Sequence, residues 1–258
     1  MRSPSLGQLL RGIRAQDERT LAHAISLVED RSPVARSLLQ RLAPRVGQAH
    51  RIGITGPPGV GKSTLIASLA PHLLRRGKRL TIIAVDPTSP LTGGAFLGDR
   101  LRMQSLVTHP RIFIRSMATR GATTGLAPTT KRVADLCDTS GANPILLETV
   151  GAGQAEIGVA RLVHTIVLVL MPGVGDTMQL LKAGILELAH VIVVNKADHR
   201  GAQGLVQELH RVCRVREQTA WPIPILATVA ERGHGVSDVA SAIHRHQQWL
   251  TQRRGTRR

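Results

Sequence analysis

Tyrosine is absent from this chain, and phenylalanine and tryptophan occur only twice each. A core must therefore be built from Leu, Val, Ile and Ala, which the 42% hydrophobic content supplies. Single-stranded nucleic acid is held on aromatic platforms where bases stack, and this composition offers little material for one. Cysteine is scarce too. Cys137 and Cys213 form no C-x-x-C pair and fall on expected helices. They read as small buried apolar residues in a reducing compartment, not as a disulfide framework. No apolar run approaches the ~18 residues of a membrane span. The longest is Ile166 to Met171, and the N-terminus lacks the apolar core of a signal peptide. These absences predict a soluble, cytoplasmic protein that does not engage a membrane. Acids are the minority charge, 17 against 34 Lys and Arg, for a net +17. Such an excess suits a polyanion partner. The basic residues are scattered from Arg2 to Arg258, however, with a dense cluster at Arg253-Arg254-Gly255-Thr256-Arg257-Arg258. The expectation is solvated basic faces and no nucleic-acid partner.

The 258 residues suffice for one large α/β domain and a small accessory element. Residues 5–47 read as amphipathic helices, with Leu6, Leu9, Leu10 and Ile13 in one stripe and Leu21, Ala24, Ile25 and Val28 in another. Asp30-Arg31-Ser32-Pro33 marks a break, and a helix resumes from Val34 to Leu42. The N-terminal helical extension is therefore placed at 1–48. From Arg51 the pattern alternates between strand and helix. Expected strands are 51–55, 80–85, 111–115, 144–148, 165–170, 191–195 and 224–228; expected helices are roughly 62–76, 125–140, 177–189, 201–216 and 236–250. Most strands are continuous apolar runs, as in a mostly parallel sheet covered on both faces. The fold class is α/β, a doubly wound domain over 49–250 followed by a basic tail at 251–258.

Gly56-Pro57-Pro58-Gly59-Val60-Gly61-Lys62-Ser63 is a complete G-x-x-x-x-G-K-[ST] phosphate loop between a strand and a helix beginning near Thr64. Glycines let backbone N–H groups turn inward around phosphate oxygens, and the helix N-terminus adds partial positive charge. Lys62 would reach the β- and γ-phosphates, and the Ser63 hydroxyl would ligate Mg²⁺. Ile145-Leu146-Leu147-Glu148 ends a buried strand in an acid, followed by Thr149-Val150-Gly151. The acid would face the metal, and Gly151 N–H would meet the γ-phosphate. Thr81 to Val85 likewise delivers Asp86 to the same edge, and the Gly-, Ser- and Thr-rich segment that follows contains Asp99. Asp86, Asp99 and Glu148 together suit Mg²⁺, which takes few carboxylates and keeps several waters.

Asn195-Lys196-Ala197-Asp198 selects the base. A carboxylate at Asp198 accepts from both N1–H and the N2 amino group of guanine, whereas adenine offers neither donor on that edge. The pattern predicts GTP and GDP as ligands, with Asn195 holding the loop and the Lys196 stem covering the base. The position directly after the switch glycine, which carries a water-orienting glutamine in small Ras-like GTPases, is Ala152; Gln154 and Glu156 lie nearby. Intrinsic hydrolysis is therefore expected to be slow and to be accelerated by a partner. The eleven histidines form no ligand set, and His244-Arg245-His246 reads as surface.

With these motifs placed, the chain closely resembles the MeaB/ArgK GTPases, bacterial relatives of the human methylmalonic aciduria type A protein. The resemblance runs from about Leu21 to the last helix. It includes Ala84-Val-Asp-Pro-Thr-Ser89, Leu97-Gly-Asp-Arg100, Glu148-Thr-Val-Gly-Ala-Gly-Gln154 and Pro172-Gly-Val-Gly-Asp176. It implies a P-loop NTPase of the SIMIBI class that acts as a metallochaperone. Such a protein gates adenosylcobalamin loading and protects or reactivates a B12-dependent acyl-CoA mutase such as methylmalonyl-CoA mutase. It further implies a third switch near Gly173 to Ala189, with Lys182 approaching the nucleotide, and base contacts at Val229-Ala230. The chain departs from the family pattern at Thr177, Leu180 and Val229. It ends near Arg253-Arg254, where relatives continue through helices used in dimerisation, which leaves a homodimer open. Two alternatives share the phosphate loop. A nickel-insertion accessory GTPase would show a His-rich or Cys/His metal site, which is not visible. A transport-linked kinase or ATPase, an older family label, is disfavoured by Asn195 to Asp198.

Overall fold

The computed structural model describes residues 4–74, 77–86, 103–119, 129–149, 155–174, 184–214 and 221–255. The chain opens with three helices, α1 (Leu6–Arg14), α2 (Glu18–Glu29) and α3 (Pro33–Leu42). Each starts at a side-chain cap that satisfies an otherwise orphaned N–H. Ser5 and Gln8 form a reciprocal capping box. The Asp17 carboxylate accepts from Thr20 N–H and Oγ1, which holds its pKa below the usual range. Ser32 caps α3 with Pro33 in the first turn. The break at residues 30–33 is as expected; a further one at Ala15–Asp17 separates the two apolar stripes.

The seven strands are β1 (Arg51–Thr55), β2 (Arg79–Asp86), β3 (Ile112–Ala118), β4 (Ala142–Glu148), β5 (Thr165–Leu170), β6 (Val191–Val194) and β7 (Ile225–Ala227). They form one sheet in the order β3-β2-β4-β1-β5-β6-β7, and every pairing is parallel. The remaining helices are α4 (Lys62–Leu73), α5 (Gln104–Val107), α6 (Thr130–Thr139), α7 (Ala155–Ala160), α8 (Ile185–Leu188), α9 (Ala202–Arg214) and α10 (Val236–Gly255). The short α5 and α7 had no sequence expectation. Of the expected helix 177–189, residues 184–189 are described, with α8 inside them. Helix α10 runs through Gly255, past the expected end at 250.

Alternation along the strands divides the core into layers. Ile52, Ile54, Ile82, Ala84 and Leu146 face α4 and α10, where they meet Leu65, Leu69, Val239 and Ile243. Ile83, Val85, Ile145 and Leu147 face the other way, onto α1–α3 and α6. The first three helices therefore share a core with the sheet. A carboxylate fastens them to it: Asp138 accepts from the N–H groups of Gly47, Gln48 and Ala49 at 2.7, 3.2 and 3.0 Å. Arg51 lies beside it, 3.3 Å from Asp138 and 2.7 Å from Asp135. Arg115 pairs with Glu29, and Arg79 with Glu18.

The amino edge of the sheet carries a second polar cluster. His50 Nε2 and His246 Nδ1 each lie 2.8 Å from Thr165 Oγ1. The rings of His190 and His246 are 4.2 Å apart, and Trp221 Nε1 donates to the His190 carbonyl at 2.9 Å. His246 is fully buried, which corrects its expected surface position. The sequence reading missed that its neighbours on α10, Ala242 and Ile243, belong to the core face.

Candidate functional site

Strand β1 has β4 on one side and β5 on the other, while the chain leaves it through α4 toward β2. Strand order reverses here, so a crevice opens beyond its carboxyl end, the usual ligand position in an open α/β sheet. Residues 56–61 line this crevice. Gly56 has φ +141°, and a Cβ there would sit 2.0 Å from the Val169 carbonyl oxygen. Gly61, at φ +93°, caps α4, and a Cβ on it would strike Asn195 Nδ2 at 2.5 Å. Only glycine satisfies both positions. Lys62 Nζ donates to the carbonyls of Gly56 and Pro57 at 2.9 and 3.0 Å, folding the ammonium over its own loop.

Beside the loop, two acids reach the same edge. Ala84 pairs in register with Glu148, so Asp86 lies two residues farther along β2 on the same face. Their exposures are only 5% and 2%. Ser63 Oγ donates to Glu148 Oε1 at 2.8 Å. Two carboxylates and a hydroxyl gathered in a buried setting are hard oxygen donors, and they fit Mg²⁺. Thr55 and Thr149 hydroxyls, 2.9 Å apart, tie the ends of β1 and β4 together.

On the opposite flank, Asn195 joins two walls of the crevice. Its Nδ2 donates to the Val60 carbonyl at 2.9 Å. Its Oδ1 accepts from Thr228 Oγ1 at 3.0 Å and from Ala230 N–H at 3.1 Å. Lys196, at φ +54°, extends Nζ to the Gly59 carbonyl at 3.1 Å, so its stem crosses above the loop. Asp198 follows with its side chain 39% exposed, and Arg232 stands 4.0 Å away. Val229 and Ala230 lie just after β7. Thr64 is in the first turn of α4, and Pro58 is in the loop.

The described structure thus brings together residues 56–64, Asp86, Glu148, Asn195, Lys196, Asp198, Val229 and Ala230. Asp99, Gly151, Gln154 and Lys182 lie outside the described residues. Thr228 and Arg232 were missed by sequence reasoning. Thr228 directly precedes the Val229-Ala230 pair, a position that was the available signal. Among the described residues, no group of three His, Cys, Asp or Glu is arranged to hold a metal ion. None of their helices is long and apolar enough to cross a membrane.

A parallel sheet with a glycine loop, a lysine and paired acids at its switch point, and an Asn-Lys-Ala-Asp segment beside them, defines a P-loop GTPase. Comparison with known proteins makes this more particular. The family model described as methylmalonyl Co-A mutase-associated GTPase MeaB matches residues 21–258. A Pyrococcus horikoshii protein named as a GTPase is 43% identical over 249 residues, covering 95% of this chain and 78% of its own. The mouse mitochondrial methylmalonic aciduria type A homolog is 36% identical over 259 residues, covering 93% of this chain and 61% of its own. Among solved structures, one titled LAO/AO transport system kinase aligns with a TM-score of 0.75 at 26% identity, covering 98% of this chain and 78% of that one. The chain belongs to the MeaB family of GTPases and binds guanine nucleotide.

Proposed function

We propose that this GTPase is a switch that gates adenosylcobalamin loading into, and protects or reactivates, a B12-dependent acyl-CoA mutase such as methylmalonyl-CoA mutase. The observation that carries the nucleotide half is the Asn195 junction, which ties the base-side loop to the phosphate loop through Val60. The partner half rests on the family match over residues 21–258.

In this reading Asp198 accepts from guanine N1–H and the N2 amino group, with Val229 and Ala230 at the base and the Lys196 stem over it. Lys62 exchanges the Gly56 and Pro57 carbonyls for β- and γ-phosphate oxygens, and the N–H groups of residues 59–64 wrap the phosphates. Ser63, Asp86 and Glu148 hold Mg²⁺, joined by Asp99. When bound there, the ion would supply neutralisation of charge on the phosphates. Gly151 N–H meets the γ-phosphate, Gln154 orients the attacking water, and Lys182 approaches the nucleotide when the partner orders its segment. Ala152 in the usual glutamine position keeps intrinsic hydrolysis slow. The extension at 1–48, the GTPase unit at 49–250 and the basic tail at 251–258 work together in the cytoplasm, as monomer or homodimer.

The test is GTP turnover and co-purification with a candidate mutase, in GDP and in a non-hydrolysable GTP analogue. Binding should differ between the two nucleotides, and turnover should rise by roughly tenfold or more with the mutase. No binding to any B12-dependent mutase in either state would sink the partner assignment. Asp198→Asn should lose GTP affinity by ~100-fold or more and gain affinity for xanthosine triphosphate, whose O2 accepts from the new amide.

A further inference from the structure

A second basic site lies away from the crevice, in the helical layer. A groove of about 540 Å³ opens between the α2–α3 turn, the first turns of α3 and the start of α6. Val28, Ala35 and Leu39 underlie it, while its accessible lining is mainly polar. Its rim carries the guanidinium groups of Arg31, Arg36 and Arg132, and among the described residues no acidic side chain lines it. The neighbouring acids are committed elsewhere: Glu29 to Arg115, and Asp135 to Arg51 and Lys131. None of the three arginines makes an ion pair among the described residues. Three guanidinium groups around one concavity raise its positive potential and so favour an anion there.

Size and chemistry narrow the occupant. The volume falls within the ~300–1,000 Å³ of small-ligand pockets. Guanidinium forks match phosphate oxygens bidentately, and the Thr129 hydroxyl and Gln40 amide add neutral hydrogen-bonding groups. A mainly polar lining beneath a cationic rim suits a compact phosphate-bearing ligand. We propose that this groove binds a phosphate-bearing small molecule, separately from the nucleotide in the crevice. Because α6 follows β3 and runs back toward the start of β4, its first turn points to the sheet edge that carries Glu148. An anion on Arg132 therefore sits at the same end of the molecule as the nucleotide. The proposal stands independently of the mutase reading.

The experiment is calorimetric titration of inorganic pyrophosphate, at low salt, into the full chain carrying Lys62→Ala to weaken the phosphate loop. One binding event per chain is expected. Adding Arg36→Gln and Arg132→Gln should weaken it ~10-fold or more. Adding Arg245→Gln, an exposed change on the opposite layer, should leave it unchanged. Adenosine 3′,5′-bisphosphate should bind at the same arginines, its affinity falling with the same substitutions. The substituted arginines are exposed, and thermal melts should show the variants folded; Arg31→Gln, on the turn, supplies an independent variant. Absence of binding, equal weakening by Arg245→Gln, or preference for a hexaglutamate peptide over both phosphates would overturn the proposal, the last in favour of an acidic protein segment.

Discussion

The carboxylate of Asp138 takes three consecutive N–H groups and faces Arg51, at 4% exposure. Removing it strands three donors in a buried joint and leaves Arg51 with Asp135 as its acid partner. Asp138→Ala should lower unfolding stability by about 3 kcal/mol, read from the urea midpoint. Asp138→Asn should recover only part, because an amide offers a single acceptor oxygen. Sequence reading passed over this residue, since its partners stand about 90 positions away and no motif marks it. By contrast Lys62, Ser63 and Asn195 were legible because each belongs to a short motif whose chemistry is set by neighbours in the chain. Thiol chemistry is a second residue-scale test. Burial pushes the Cys137 thiol up to about 12, whereas Cys213 is half-buried. Native protein should therefore present Cys213 alone to an aromatic disulfide reagent, and denaturant should release Cys137.

Among the elements, α10 is the one whose behaviour pH should expose. His246 is fixed on its inner face against Thr165 and His190, and desolvation, aided by the His190 charge, brings its pKa down to about 3. Burial lowers that of His190 as well. The folded form thus binds these protons less readily than the unfolded chain, where histidine titrates near 6.5. Stability contributed by neutral His246 is full above pH 6.5 and is lost as pH falls from there toward 3, by about 4 kcal/mol at the limit. Both tryptophans pack at this end of α10, with Arg253 over Trp249 at 4.7 Å. Their fluorescence should follow the acid transition, and His246→Gln should flatten its slope. Most strands were legible because they are apolar runs with two buried faces, although β3 carries Arg115 and Ser116 and β7 is only partly buried. The helices were less so: six residues in α7 hold too few turns for a period to emerge, and the Asp17 cap that separates α1 from α2 was passed over.

For the molecule as a whole, nucleotide binding should be visible as linkage. Ligand at 100 times its Kd adds about 2.7 kcal/mol to the folded state, or roughly 5–10 °C in Tm for a domain of this size. GDP with Mg²⁺ should produce that shift, ATP should not, and Lys62→Ala should abolish most of it. A chain with net charge +17 that still folds around one sheet keeps its repulsion outside, on solvated arginines. The layered architecture was readable from strand–helix alternation; the groove between α3 and α6 was not, because three arginines scattered over 102 positions converge only once the helices pack.

Asn195 braces Val60 on one bank of the crevice to Thr228 and Ala230 on the other. The span between base and phosphate seats is thereby a calliper set to one width. A guanine nucleotide shortened by one phosphate cannot slide along it to close the gap. In the proposed switch the missing group would be felt where the calliper ends, at the buried edge of β2 and β4.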